Sequence, residues 1–309
     1  LVIADLPTFV SENEEEMQKC YSQSAQAVYQ EIVWPSLTSI ASRTGAKMTC
    51  MMTPQFTYTD EEEPDGENVT YYLKRLKEEH AEAGLSADSM EGIPLSEKIK
   101  QDQTFWQTYA PSYRFLSLYA DGVKSIGEKS ALPAEIRTVA LGSGASGQAV
   151  GYLNENVTLQ PSTSSGIRHT FLDDFKVKCM ETALGYSNIT LDLYSVTYPE
   201  GDEDSWEKMS KKIAANLGTY WKAYEAFDAT TLTESDVRIR RFLALDYKQQ
   251  RAGNVITLSL EHREDAAWFL LRLHGEKVTE VAGGSFEEIE DGVYLILAEE
   301  DEVSVEVQT

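Results

Sequence analysis

Histidine and cysteine are scarce in this chain, with four and three among 309 residues. His80, His169, His262 and His274 show no HxxxH or HExxH spacing, so a zinc centre would have to be assembled from distant pieces, and the expectation is no metal. Cys20, Cys50 and Cys179 form no CxxC pair, cannot make a disulfide framework, and read as small core residues. No apolar run approaches the twenty or so residues that a membrane helix needs, which argues against membrane insertion. Positive charge is also short: 27 Lys and Arg stand against 51 Asp and Glu, for a formal net charge of -24. That balance repels a polyphosphate backbone, weighs against nucleic acid and anionic membrane partners, and favours neutral or cationic ligands. Leu1 is not an initiator residue and no signal peptide opens the chain, so the expectation is an excised region of a longer precursor.

Two regimes are legible. Up to Leu245 helical stretches alternate with short apolar runs, whereas from Val255 the chain reads as short strands between Gly, Asp and Glu turns. The expected boundary lies near Tyr247 to Asn254, giving domains 1–247 and 254–309. In the first, strands are expected at Leu1–Ala4, Lys47–Met52, Arg137–Leu141, Val157–Gln160 and Thr190–Val196. Helices are expected at Glu14–Arg43 with a kink or break at Pro35, at Val69–Ala83 ending at Gly84, and at Leu95–Tyr109 and Tyr113–Lys124. Further helices are expected at Leu172–Leu184, Ser205–Phe227 and Glu234–Leu245. Strand and helix alternation over about 245 residues suggests a TIM-like (β/α) barrel, irregular or incomplete, and the tail suggests a small antiparallel β-sandwich of five or six strands.

The most informative segment is Asn188–Met209, NITLDLYSVTYPEGDEDSWEKM. An apolar strand runs into a loop crowded with tyrosine, carboxylates and tryptophan, the manner in which a barrel strand delivers residues to an active face. Rings stack on pyranose faces while carboxylates accept hydrogen bonds or move protons, which suits a carbohydrate ligand. Tyr194, Tyr198 and Trp206, with His169, are the candidate ligand-binding residues. Asp5, ending the first strand, and Asp192, inside ITLDLYS, stand out because a charge on an apolar strand is costly unless it faces a polar mouth or is paired. Asp192 with one of Asp5, Asp173 or Glu200 would form the catalytic pair. Asp173 and Asp174 also read as helix caps. The stripe Trp206, Tyr220, Trp221, Tyr224 and Phe227 has the spacing of a buried helix face. The run Gly142-Ser-Gly-Ala-Ser-Gly147 matches GxGxxG, but about nine residues separate it from the next strand, too few for a cofactor-binding helix, and that strand ends without a carboxylate. It reads as a loop near the ligand, and no cofactor is expected.

The order VTLQPSTSSG, FLDDF, ITLDLYSVTYPEGDEDSWEKM, TTLTESDVRIRRFLAL and a terminal β module resembles a bacterial family with polysaccharide-deacetylase-like, glycoside-hydrolase-like barrels associated with cell-surface polysaccharide. The resemblance implies an extracellular or cell-envelope location and a polysaccharide ligand. Metal-dependent deacetylases carry an Asp with an HxxxH pair, which this chain lacks. The expectation is therefore either a site rebuilt as a paired-carboxylate hydrolase or a barrel that binds polysaccharide without cleaving it.

Overall fold

The computed structural model describes the chain apart from residues 57–63, 89–92, 122–131, 143–149, 184 and 224–226, with the main chain alone at 202 and 221–223. It divides into two compact units, Leu1–Asp236 and Val237–Thr309. The division falls inside a helix, α9 (Leu232–Ala244), upstream of the composition change near residue 247.

The first unit is a mixed α/β fold on one nine-stranded sheet. Its strands are β1 (Val2–Ala4), β2 (Thr49–Met52), β3 (Glu82–Ser86), β4 (Ser117–Ala120), β5 (Thr138–Leu141), β6 (Gly151–Tyr152), β7 (Thr158–Pro161), β8 (Ser164–Ser165) and β9 (Ile189–Asp192). Their order is β6-β7-β5-β4-β3-β2-β1-β9-β8, and all pairs are parallel except β6 with β7. Only Ser162 and Thr163 separate β7 from β8, which occupy opposite flanks of this order. Three peptide units reach about 10 Å, so the sheet has to curl until its flanks approach. At the seam the Asn188 side-chain amide donates to Gln160 O (3.5 Å) and the Thr163 main-chain N–H to Asn188 O (2.7 Å). No ladder joins β7 to β8 among the described residues, so where a TIM-like barrel, irregular or incomplete, was expected the sheet is a curled half-barrel.

Strand pleating sorts the side chains into two layers. Val2, Ala4, Met51, Tyr119 and Ala140 form a small cluster inside the curl, closed by Leu232. Ile3, Cys50, Met52, Leu118, Val139 and Leu191 belong to the large cluster shared with the helices outside. Among these, α8 (Trp206–Ala223) buries Trp206, Met209, Ile213, Leu217 and Tyr220, the three- and four-residue spacing of one helix face.

Several expectations are corrected. The helix expected over Glu14–Arg43 is instead α1 (Glu14–Tyr21), α2 (Ala25–Val28), a π-helical turn Tyr29–Val33 and α3 (Trp34–Thr44), so Pro35 begins a helix. The helix expected to stop at Gly84 is α4 (Val69–Glu78), and Gly84 lies inside β3. A Cβ at Gly84 would stand 2.3 Å from Met51 Sδ and 2.6 Å from Ser117 Oγ, so close strand packing, not a helix end, requires the glycine. The helix expected over Tyr113–Lys124 contains β4, after α5 (Leu95–Tyr109). Beyond β8, α6 (Phe171–Thr182) precedes β9, and a short helix, α7 (Tyr194–Thr197), takes over where β9 was expected to continue. Cys20 and Cys179 are exposed, and only Cys50 is a core residue.

The N-terminal ends of the strands are sealed by a buried polar layer against the first turn of α9. Thr231 and Glu234 form a reciprocal cap, Leu232 N–H donates to Thr49 Oγ1 (2.9 Å), and Thr233 N–H donates to Glu82 Oε2 (2.9 Å). These contacts satisfy donors that a helix start would otherwise leave orphaned. Asp236, fully buried, accepts from Thr158 Oγ1 at 2.6 Å and lies 3.6 Å from Arg137 Nε.

In the second unit β10 (Asp246–Ala252), β11 (Val255–Glu261), β16 (Glu302–Gln308) and β13 (Lys277–Ala282) form one antiparallel sheet. β12 (Ala267–Arg272), β15 (Val293–Ala298) and β14 (Gly284–Glu290) form the other. Alternate residues such as Ile256, Leu258, Leu260, Tyr294, Ile296, Val303 and Val305 fill its core. The tight Asp291-Gly292 turn between β14 and β15 has Gly292 at φ +71°.

Asp236→Ala would remove one of the two buried acceptors within reach of the Thr158 hydroxyl, the other being Thr138 Oγ1, and is expected to destabilise the first unit by about 1–3 kcal/mol. Urea unfolding checks this, with the exposed Glu207→Ala changing stability by less than about 0.5 kcal/mol as the control.

Candidate functional site

Carboxyl groups gather at the C-terminal ends of the parallel strands. Asp5 follows β1, Asp88 follows β3, Asp121 follows β4, and Asp192 ends β9. Asp192 pairs in register with Ala4, which faces the inside of the curl, so its side chain shares that face. Asp5 is wholly buried and sits at φ +60°, a left-handed conformation that aspartate tolerates better than most residues. Its Oδ1 accepts from Ser86 Oγ at 2.7 Å. Its Oδ2 receives no donated hydrogen bond. The neighbour available is the Asp88 carboxyl, within side-chain hydrogen-bonding reach of Asp5, which can donate only while protonated.

Burial is the largest influence on all three principal acids. It raises Asp5 well above the usual carboxylate range, assisted by the charges of Asp88 and Asp192 and opposed by the Ser86 hydrogen bond and Lys98. Asp88 is pushed up to about 7 by burial and then by Asp192 and Asp121, with Lys98 and the Asp5 contact opposing. Asp192 is raised by burial, while the Tyr194 N–H (2.9 Å) and the charge of Arg168 hold it down against Asp121. Asp192 is exposed, yet burial is still the largest influence on its carboxyl.

One ammonium group is sealed beneath these acids. Lys98, on α5, is fully buried and donates to Thr53 Oγ1 (2.9 Å) and to Asp102 Oδ2 (2.8 Å), one turn further along the same helix. Burial brings its acidity to about 8, opposed by the charges of Asp5, Asp88 and Glu12. Asp102 is raised well above its ordinary value by burial. Aromatic rings edge the same region. Tyr194 and Tyr198 stack at 4.9 Å between centroids, and Phe56 meets both edge-on at 4.8 and 5.7 Å. Tyr194 feels the charges of Asp5, Glu12, Asp192 and Asp88, and Tyr119 those of Asp88, Asp192, Asp5 and Asp121, so both face the acids. A Cβ on Gly142 would lie 2.7 Å from both Tyr119 Oη and Asp121 Oδ1, so the first glycine of GSGASG makes room for the site. Residues 143–147 lie outside the described residues.

Asp5, Asp192, Tyr194 and Tyr198 thus come together at one end of the sheet. Four other expected residues have structural duties. Asp173 Oδ2 accepts from Thr170 N (2.8 Å) and Thr170 Oγ1 (2.6 Å), closing a capping box at the start of α6. Glu200 lies in an exposed turn where its own N–H donates to Asp204 (3.0 Å). Trp206 is buried in the helix-side core, its main-chain N–H donating to Tyr21 Oη (3.0 Å), and presents no ring face to a ligand. His169 Nδ1 meets Tyr220 Oη and its Nε2 lies 3.3 Å from Asp174, an arrangement that anchors α6 to α8. Asp88, Asp121 and Lys98 were not anticipated. The described residues contain no group of three His, Cys, Asp or Glu suited to hold a metal, and thus do not fit a His-ligated centre.

No family model and no curated protein matches the chain. A solved structure from Mycobacterium smegmatis, provisionally described as a polysaccharide deacetylase, aligns with a TM-score of 0.44 at 10% identity. The alignment covers 81% of this chain and 94% of that one.

Two outcomes test this geometry. Asp88 has a higher pKa folded, about 7, than its ordinary value of 3.8, so its contribution to stability is full below about pH 4 and is lost as pH rises to 7. Asp88→Asn should therefore raise the melting temperature at pH 7.5 by a few degrees, at about 2–4 °C per kcal/mol, and leave it unchanged at pH 4. Lys98→Met leaves Asp102 buried without its cation and is expected to cost about 3–5 kcal/mol in a denaturant titration at pH 7.

Proposed function

We propose that the protein is a carbohydrate-active hydrolase of the cell surface that works through paired carboxyls at the C-terminal ends of these strands. The supporting observation is the Asp5–Asp88 contact beside Asp192. Burial and crowding raise Asp5 and Asp88, while in a third, Asp192, the rise caused by burial is opposed by an N–H and an arginine charge. Asp88 is the general acid, and it gives its proton to the departing oxygen or nitrogen. Asp192 is the general base, taking a proton from the water that adds to the reacting carbon. Asp5 is a positioning residue, fixed by Ser86, which keeps the proton on Asp88. Tyr194 and Tyr198 offer ring surface and hydroxyls to the sugar. No step requires a metal or cofactor from the residues described. The extracellular location and the polysaccharide substrate come from the sequence resemblance, and the strongly acidic composition is compatible with them.

Asp192→Asn is expected to reduce turnover of a susceptible oligosaccharide at least 100-fold with little change in melting temperature. The wild type should lose activity as pH rises through about 7, the acidity of Asp88. Screening a polysaccharide panel for released reducing ends and released acetate checks both. Unaltered turnover in Asp192→Asn would remove it from the role of base, and binding without turnover in the wild type would favour a non-catalytic polysaccharide-binding protein on the same scaffold.

A further inference from the structure

The two sheets of the second unit treat their outer faces differently. On β11 and β16 the side chains directed away from the core are mostly polar, with Thr257 beside Ser304 and Ser259 beside Glu302. That is the alternation a sandwich ordinarily shows. On β12 and β15 the residues between the core positions are instead Trp268, Leu270, Val293, Leu295 and Leu297, with Trp268 beside Leu297 and Leu270 beside Leu295. Trp268 and Leu270 are 57% and 47% exposed. Single apolar side chains on a surface are normal, whereas a contiguous patch on one sheet face marks an interaction surface. A sheet apolar on both faces has the composition of a layer covered on both sides.

The flanks of the patch point to its cover. β12 contributes Trp268, Leu270 and Arg272, level in register with Leu297, Leu295 and Val293 of β15. On the other side β14 contributes Ser285, Glu287 and Glu290 at the same three levels. One flank is therefore bulky and ends in a cation, and the other is small or acidic. Among the described residues no ion pair within the chain engages Arg272 or Glu290. We propose that this face joins two copies of the chain, sheet against sheet, about a two-fold axis running along β15. Half a turn about that axis lays the β12 flank of each copy over the β14 flank of the other. Trp268 then covers Ser285 and Arg272 meets Glu290, each twice, while Val293, Leu295 and Leu297 meet their own copies. Three strands of six residues make a face of about 14 by 20 Å. Two such faces, with their side chains, bury on the order of 1,000 Å², the lower bound for a specific and weak dimer. A sugar suits the patch less, because aliphatic side chains offer its hydroxyls no hydrogen bonds.

Sedimentation velocity of the full chain from about 1 to 300 µM, in about 150 mM NaCl to screen the repulsion between two acidic copies, tests this. A dimer should form in the micromolar range. Leu295→Asp, which sets two carboxylates facing each other on the axis, should leave monomer throughout. Thr257→Asp, on the polar outer face of the other sheet, should dimerise like the wild type. Arg272→Glu should weaken the dimer about tenfold, since it turns an attraction into a repulsion on both sides of the axis. Arg272→Glu combined with Glu290→Arg should return the affinity to within about threefold of the wild type, because the exchanged charges meet again. Arg272→Glu changes only an exposed side chain, so it tests the face even if Leu295→Asp does not fold. Monomer at every concentration would overturn the proposal, as would a dimer indifferent to both single variants. A dimer weakened by Arg272→Glu and not restored by the exchange would overturn the axis along β15. Monomer that sediments with phosphatidylcholine vesicles, a property lost in Leu295→Asp, would overturn the second copy in favour of a lipid surface.

Discussion

Crowded, poorly solvated carboxyl groups at the C-terminal ends of β1, β3, β4 and β9 are the constraint on which the arrangement of the first unit depends. Like charges in a low-dielectric setting repel strongly, and each carboxyl also loses hydration. The fold tolerates this through compensations at fixed places. Ser86 takes one oxygen of Asp5, the Tyr194 N–H takes one of Asp192, and Lys98 supplies a buried positive charge below. The left-handed backbone of Asp5 belongs to the same pattern, since local strain persists only where the surroundings hold it.

The two ends of the curled sheet are polar for opposite reasons. At the N-terminal ends Thr49, Thr138, Thr158, Gln160 and Asp236 are tied into hydrogen bonds with each other and with α9, so their polarity is largely spent within the fold. At the C-terminal ends one oxygen of Asp5 has no donor, and burial raises the pKa of Asp5 and Asp88. Between them Val2, Ala4, Met51, Tyr119 and Ala140 form an apolar layer that separates the two ends. Asp236 is thus engaged within the fold, whereas Asp192 is exposed.

Asp5 and Asp192 were legible in the sequence because each interrupts an apolar strand, where a charge needs an explanation. Asp88, Asp121 and Lys98 were not. β3 contains Gly84, which resembles a helix stop until Met51 and Ser117 are seen crossing over it, and β4 lies within the aromatic run Tyr113–Tyr119, which has no clear period. With both strands unrecognised, the acids following them looked like loop residues. Lys98 and Asp102 have the i,i+4 spacing of an exposed helix pair, and only the packing of α5 reveals that they are buried. Trp206 misled in the opposite sense, since a ring beside acidic residues suggests a ligand until the helix phase turns it into the core. The terminal β unit was legible as a class, but the charged strands β13 and β14 blurred its strand number.

The seam between β7 and β8 bears on how the chain could be decorated. Asn188, Ile189 and Thr190 form an acceptor triplet for N-linked glycans. Yet Asn188 is buried, and its side-chain nitrogen, the atom a glycan would occupy, points its hydrogen bond at Gln160 across the seam. A glycosylating host that modified this nitrogen before the sheet curled would wedge a bulky, hydrated oligosaccharide into the join, so production in such a host would select between a sugar at Asn188 and a closed seam.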